Sequence, residues 1–317
     1  MKCRVCREPA VIDIRRHNAN FCAEHFLRLV RDQTTKAIEE FSMLAPGERV
    51  LVAVSGGKDS LALWDLLVEL GWEADGLYIG LGIGGYSDRS GEIVRAFAAE
   101  RGLTLREVDL RETYDYDIPT AAHVTRRVPC SACGLSKRHL FDRAALDGGY
   151  DAVATGHNLD DEAAVLFGNT LRWQAEYLAR QLPVLAARPG FPRKVKPLVR
   201  LGEREMAAYC VLRGIDYVVE ECPMAVGNKH LGYKEALNEI EAASPGSKHA
   251  FYFGFLDRAV ERFADAAPAH APDGGTAACA RCGTPTTSEI CTFCRLVERT
   301  AGTAPVRLTR KGKPIDV

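Results

Sequence analysis

Residues Arg49–Ser60 read RVLVAVSGGKDS. After Arg49 the first half is an unbroken apolar run, the pattern of a strand buried on both faces. Two glycines follow at once. Leu61–Leu70 (LALWDLLVEL) then carries apolar residues at helical spacing up to Gly71, a natural helix stop. Working outward, Ala74–Ile83 reads as a strand, Ser87–Arg101 as a helix closed by Gly102, and Leu103–Leu110 as a third strand. Ser136–Leu146 reads as a helix, Ala152–Thr155 as a fourth strand, and Asn158 opens a further helix. Strands alternating with helices over connections this long predict an α/β fold with a doubly wound parallel sheet. Ligands of such sheets bind at the carboxyl ends of the strands.

The turn at that edge has the chemistry of an anion cradle. Gly56 and Gly57 let backbone amides approach a phosphate without a Cβ in the way, the start of the next helix adds free N–H groups, and Lys58 adds positive charge. It is not a Walker A loop, which would need glycine where Val52 stands and Ser or Thr where Asp59 stands. Ser55, Gly56, Gly57, Lys58, Asp59 and Ser60 together resemble the PP-loop of the ATP pyrophosphatases, which cleave ATP between the α and β phosphates and form adenylates. That resemblance implies ATP and Mg2+ as ligands and places the adenine against Ala53, Ile79 and Gly156. Ala53 and Ile79 read equally well as sheet core.

The chain has 317 residues and 11 cysteines, most in C-x-x-C pairs, which in a reducing compartment favours metal or redox chemistry over disulfides. Cys3, Cys6, Cys22 and His25 form one set with knuckle spacing, and Cys279, Cys282, Cys291 and Cys294 form another. Each supplies four ligands to a structural zinc and leaves no coordination position open for catalysis. Between them, PCSACG (Pro129–Gly134) carries Cys130 and Cys133 just before a helix, and ECP (Glu221–Pro223) carries Cys222. Three thiolates are one short of a closed zinc site. They suit a 4Fe-4S cluster with one iron left open, or a pair in which one thiolate carries sulfur as a persulfide, or three inert small residues. Cys210, alone on the apolar stretch AAYCVL, reads as core.

Lys and Arg number 41 against 42 Asp and Glu, a net charge of −1, so any nucleic-acid surface must be local. Between Tyr177 and Gly202 lie Arg180, Arg188, Arg193, Lys194, Lys196 and Arg200 with no acid. The tail adds Arg307, Arg310, Lys311 and Lys313, and Arg126 and Arg127 precede the central cysteines. Each of these segments is a candidate RNA contact or a solvated face. The N-terminus MKCRVCREPA has no apolar signal region, and no apolar run approaches the ~18 residues of a membrane span, so a cytoplasmic location is expected.

Lys137 falls one helical turn after Cys133, and Asp161 lies where a capping-box carboxylate for Asn158 would sit. Taken with SGGKDS, PCSACGLSKR (129–138), ATGHNLDDEA (154–163), ECP and both terminal quartets, the chain resembles the tRNA 2-thiouridine synthetases of the PP-loop superfamily, in the two-zinc-finger group and nearest the T-loop thiolases. The resemblance implies a 4Fe-4S cluster on Cys130, Cys133 and Cys222, catalytic roles for Cys130, Cys222, Lys137 and Asp161, and zinc in both quartets. It implies tRNA and a ubiquitin-like carrier with a C-terminal thiocarboxylate as partners, and a homodimer. The implied reaction adenylylates the C2 oxygen of a uridine, 5-methyluridine of the T-loop being the expected target, and replaces it with sulfur delivered via the cluster. The alternatives are a persulfide-based thiolase, another PP-loop adenylating ligase, and a non-catalytic zinc-ribbon RNA adaptor. The expected organisation is a zinc module over 1–30, a PP-loop domain over 31–264, a linker over 265–278 (rich in Ala, Pro and Gly), and a second zinc module with basic tail over 279–317.

Overall fold

A computed structural model describes residues 1–225, 229–266, 277–308 and 314–315. Most of the expected linker, and Arg310, Lys311 and Lys313 of the tail, lie outside the described residues.

A short hairpin of β1 (Ile12–Ile14) and β2 (Ala19–Phe21) leads into α1 (Ala23–Glu40). That helix runs unbroken from the Cys22/His25 module into the core, where Val30, Ala37 and Ile38 are buried, so a division at residue 30 falls inside a helix. The main domain then alternates β3 (Arg49–Val54), α2 (Lys58–Glu69), β4 (Glu73–Gly80), α3 (Gly84–Arg101) and β5 (Leu105–Asp109). Two short helices, α4 (Leu110–Tyr114) and α5 (Ile118–Thr125), precede α6 (Pro129–Gly148), β6 (Ala152–Thr155) and α7 (Leu159–Leu171). After α8 (Ala175–Leu178) come β7 (Val184–Leu185), β8 (Arg193–Val195), α9 (Glu203–Arg213), α10 (Lys229–Ala243) and α11 (Ser247–Arg258). A small hairpin and α12 (Thr292–Thr300) form the C-terminal module.

The six-stranded sheet has the order β5-β4-β3-β6-β8-β7. All neighbours run parallel except β7, which is antiparallel to β8, so the sheet is mixed at one edge and not parallel throughout. The cause is local: β7 is two residues long and joins β8 without room for a crossover. The order reverses direction between β3 and β6, and that switch point opens a crevice at the carboxyl ends.

The apolar run of β3 explains the double winding. Val50, Val52 and Val54 face a core shared with α1, α2, α3 and α9, whereas Leu51 faces the opposite core, built with α5, α6 and α12. β4 alternates the same way, with Ala74 and Tyr78 on the first face and Leu77 and Ile79 on the second. α2 begins at Lys58, inside the glycine motif, and α6 begins at Pro129, so Cys130 and Cys133 ride on its first turns and do not precede it. Proline is at home in that first turn because its missing N–H has no partner to lose there.

The C-terminal module is docked on α6. Phe293 is buried, stacks on His139 of α6 at 3.9 Å and meets Tyr114 edge-on at 5.2 Å. Arg143 of α6 donates to the Cys282 carbonyl at 3.3 Å.

Candidate active site

The glycine turn sits at the switch point. Gly56 has φ +79°, and a Cβ there would lie 2.9 Å from the Ser90 carbonyl oxygen, so only glycine fits. The Ser60 hydroxyl donates to the Gly57 carbonyl at 2.9 Å and accepts from the Ser55 amide at 3.1 Å, which closes the loop on itself. Gly57 is the N-cap of α2 and offers no side-chain cap, so the first N–H groups of the helix remain available to an anion. Gly156, at the end of β6, abuts the same loop: a Cβ there would be 2.9 Å from the Asp59 carbonyl.

Lys58 lies in a closed ring of polar contacts. Its ammonium is 3.1 Å from Asp59 and 2.8 Å from Glu203 at the start of α9. Asp59 accepts from the Asn158 amide at 3.0 Å. Asn158 and Asp161 form the capping box of α7, Asp161 is 2.6 Å from Lys234 of α10, and Lys234 returns to Glu203 at 3.6 Å. Burial alone would lower the Lys58 ammonium, but Asp59 and Glu203 outweigh it and hold it above its ordinary value. Burial pushes the Asp59 carboxyl up; Lys58 opposes the rise and Asp161 adds to it. Asp161 resists its own burial and stays low, chiefly because of Lys234. Glu203 and Lys234 carry no local sequence signal; their partners are far away in the chain and only the folded state joins them. Beneath the loop, buried Cys210 donates to the Lys58 carbonyl at 3.5 Å, and burial pushes its thiol up to about 12, as suits a core residue.

A cavity of about 600 Å³ opens at this edge. Its wall includes Ser55, Gly57, Asp59 and Ser60 of the loop, then Ala53, Ile79 and Gly156, and also Cys130, Cys133, Lys137 and Cys222. Ile79 belongs to the core and to this wall at once. Asp161 is not on the wall; it stands behind it, in the ring. Cys222 reaches the cavity because its segment is tied down on both sides. The Val218 amide donates to the Gly56 carbonyl at 2.9 Å, and the following turn, Pro223–Ala225, packs on α6.

The central thiols differ from the terminal ones in spacing. The donor atoms of Cys3, Cys6, Cys22 and His25 all lie within 4.8 Å of one another, as do those of Cys279, Cys282, Cys291 and Cys294; among the described residues no other group of three or more His, Cys, Asp or Glu does so. Each quartet is therefore compact enough to hold a single ion, whereas the central three are not gathered that closely. Burial pushes the Cys130 and Cys222 thiols up. Cys133 adds to the rise, and Lys137 opposes it in both.

The acid-free stretch between Tyr177 and Gly202 is not a free basic face. Arg193 pairs with Glu48, Lys194 with Asp142 at 2.7 Å, Lys196 with Glu162 at 2.7 Å and Arg200 with Glu40. Acids from elsewhere in the chain neutralise these four, whereas Arg180 is exposed and meets no carboxylate among the described residues. Arg126 and Arg127 are exposed beside the cavity and meet no carboxylate among the described residues.

A doubly wound sheet with an uncapped glycine loop at its switch point defines a PP-loop nucleotide-using enzyme. Comparison with known proteins agrees: residues 26–225 match the family model of the PP-loop domain, and residues 2–27 match that of the 2-thiouridine synthetase TtuA, N-terminal LIM domain. The chain is 53% identical over 300 residues to the tRNA-5-methyluridine(54) 2-sulfurtransferase of Thermus thermophilus, covering 93% of this chain and 91% of that one. It is 41% identical over 298 residues to the protein of that name from Thermotoga maritima, covering 93% and 96%. The solved structure of the U34-tRNA thiolase NcsA from Methanococcus maripaludis, with its 4Fe-4S cluster, has the same fold, with a TM-score of 0.77 at 24% identity over 96% of this chain and 98% of that one. The chain belongs to the tRNA 2-thiouridine synthetase family of PP-loop enzymes and is a tRNA sulfurtransferase.

Proposed function

We propose that this enzyme replaces the C2 oxygen of the T-loop 5-methyluridine of tRNA with sulfur, by way of an adenylate. The observation that carries the reading is that one cavity joins the nucleotide loop to the three central cysteines. The relatives' target base supports the choice of substrate.

The C2 carbonyl of uridine is a weak electrophile with a poor leaving group. In the proposed reaction the free amides at the start of α2 hold the ATP phosphates, and Lys58 exchanges its contacts with Asp59 and Glu203 for phosphate oxygens. The adenine lies against Ala53, Ile79 and Gly156. The C2 oxygen attacks the α-phosphorus and pyrophosphate leaves. A sulfur nucleophile then adds to C2, the C2–O bond breaks, and AMP departs. Lys137, on the wall of the same cavity, offsets charge on the α-phosphate and the departing oxygen. Asp161 acts from behind the wall by holding Lys234 and the Asn158 cap in place.

The wide set of Cys130, Cys133 and Cys222 fits a 4Fe-4S cluster better than a single ion, and such a cluster would supply an iron without a protein ligand as the place for sulfur. The two quartets fit structural zinc, and Mg2+ would accompany the phosphates. The family likeness further suggests a thiocarboxylated carrier protein as the sulfur source, a homodimer and a cytoplasmic location. Among the described residues no helix is long and apolar enough to cross a membrane.

The test is anaerobic reconstitution with tRNA, ATP and sulfide, followed by nucleoside mass spectrometry. The expected product is 5-methyl-2-thiouridine with AMP and pyrophosphate in equal amounts. Tight ATP turnover with no thionucleoside would contradict the proposal.

A further inference from the structure

The geometry points to the corner where α7 ends, with α8 and the start of α10, as a docking platform for the tRNA, with Trp173 as its stacking residue. This rests on the tRNA reading above.

Trp173 follows α7 and is 74% exposed, on a chain whose other tryptophans are buried (Trp64) or half-buried (Trp72). A lone exposed Leu or Val needs no explanation, but a large aromatic ring held outward does. Its backbone is left-handed, φ 49°, a conformation unfavourable for a bulky residue, so the local fold holds the ring where it is. Tyr177, one turn of α8 further, is 59% exposed.

Cations lie beside the two rings in the chain, and another opens α10, the helix packed on α7. Arg172 is exposed, and its contacts are to neutral groups, Gln174 and the Tyr233 hydroxyl at 3.2 Å each, so its charge is uncompensated. Arg180 and Lys229 are exposed and meet no carboxylate among the described residues. Glu176 is the one acid between them on α8. Exposed aromatic rings interleaved with unpaired cations fit single-stranded RNA, whose bases stack and whose phosphates need counter-charge.

The place also fits. α10 begins at Lys229, four residues after Ala225 on the cavity wall, so the two lie at most about 14 Å apart. α7 starts at the nucleotide ring and its 13 residues carry the chain about 20 Å outward to Trp173. One tRNA can therefore rest on this corner while its target base, drawn out of its stack, enters the cavity. Arg126 and Arg127 flank the cavity on the α6 side.

The test titrates the full chain with an unmodified tRNA transcript, following tryptophan fluorescence and, separately, filter binding. Wild type should show quenching. Trp173→Phe should lose most of the quench and keep its affinity within about twofold, since a phenyl ring still stacks. Trp173→Ala should raise the tRNA Kd about tenfold. The double variant Arg172→Gln/Arg180→Gln should flatten the slope of log Kd against log salt by about 1.5 to 2. All these side chains are exposed, so thermal unfolding should stay unchanged. A quench that persists in Trp173→Phe, with Trp173→Ala binding tRNA as wild type does, overturns the platform even if the enzyme thiolates normally. A Trp173→Ala variant that changes sedimentation but not tRNA affinity makes the corner an interface between copies and overturns it too. Wild-type tRNA binding with quench but without any thionucleoside would instead sink the thiolase reading and leave the platform standing.

Discussion

The terminal quartets and the central cysteines use the same side chain in opposite ways. In each quartet one ligand sits at a helix N-cap (Cys22 of α1, Cys291 of α12) and the next three residues on, so two ligands are fixed by one helical turn. A knuckle supplies the other two, and all four donors close within 4.8 Å. Amides point at the sulfurs: the Cys291 amide donates to Cys279 at 3.2 Å and the Cys294 amide to Cys291 at 3.4 Å. The central set also takes a pair from one helical start, Cys130 and Cys133 of α6, but its third member arrives on a distant segment, and among the described residues no fourth cysteine lines the cavity. It is wider, open to a cavity, and faced by Lys137. Closure makes a structural unit; an open side leaves room for chemistry.

That contrast predicts a graded series. Cys222→Ala should abolish thiolation and iron binding while ATP binding and zinc content stay at wild-type levels; metal analysis and nucleoside mass spectrometry read both. Cys291→Ser should do the reverse. The zinc content should fall by one ion and the C-terminal module should unfold, because a segment with so small a core depends on its metal. Thermal denaturation would register this, with iron on the central set retained in the folded fraction. Lys137→Met should lower kcat for thiolation about 100-fold without changing either metal, as expected for removal of one charge-stabilising group. A loss of iron in that variant would mean Lys137 supports the cluster site instead.

The smallest effect concerns how the quartet module rests on the central helix. Burial against Phe293, with Arg143 adding to it, lowers His139 to about 4. The neutral ring is then the folded form, and the unfolded chain takes up a proton near pH ~6.5. Stability from this contact is therefore full above pH ~6.5 and declines as pH falls toward 4. His139→Phe should flatten that decline in an unfolding series across this window, and an unchanged slope would remove His139 as its source.

Much of this was legible in the chain. The strand, glycine turn and helix from Arg49 to Leu70 are local features, and the quartets announce themselves by spacing. Resemblance carried the pairing of Cys222 with Cys130 and Cys133, which no local pattern encodes. The Lys58–Glu203–Lys234–Asp161 ring was not legible, because ion pairs between α2, α7, α9 and α10 exist only after folding. The cations from Arg193 to Arg200 misled for the same reason: their acids, among them Glu40, Glu48 and Asp142, lie far away in sequence. The antiparallel β7 is too short for periodicity to register.

Anomalous diffraction at the iron edge, from anaerobic crystals holding a non-hydrolysable ATP analogue, addresses the centre of this account. The iron peak should stand among Cys130, Cys133 and Cys222, in the same cavity as the analogue's α-phosphate. Iron bound at a terminal quartet, or a nucleotide seated away from the glycine turn, would contradict it.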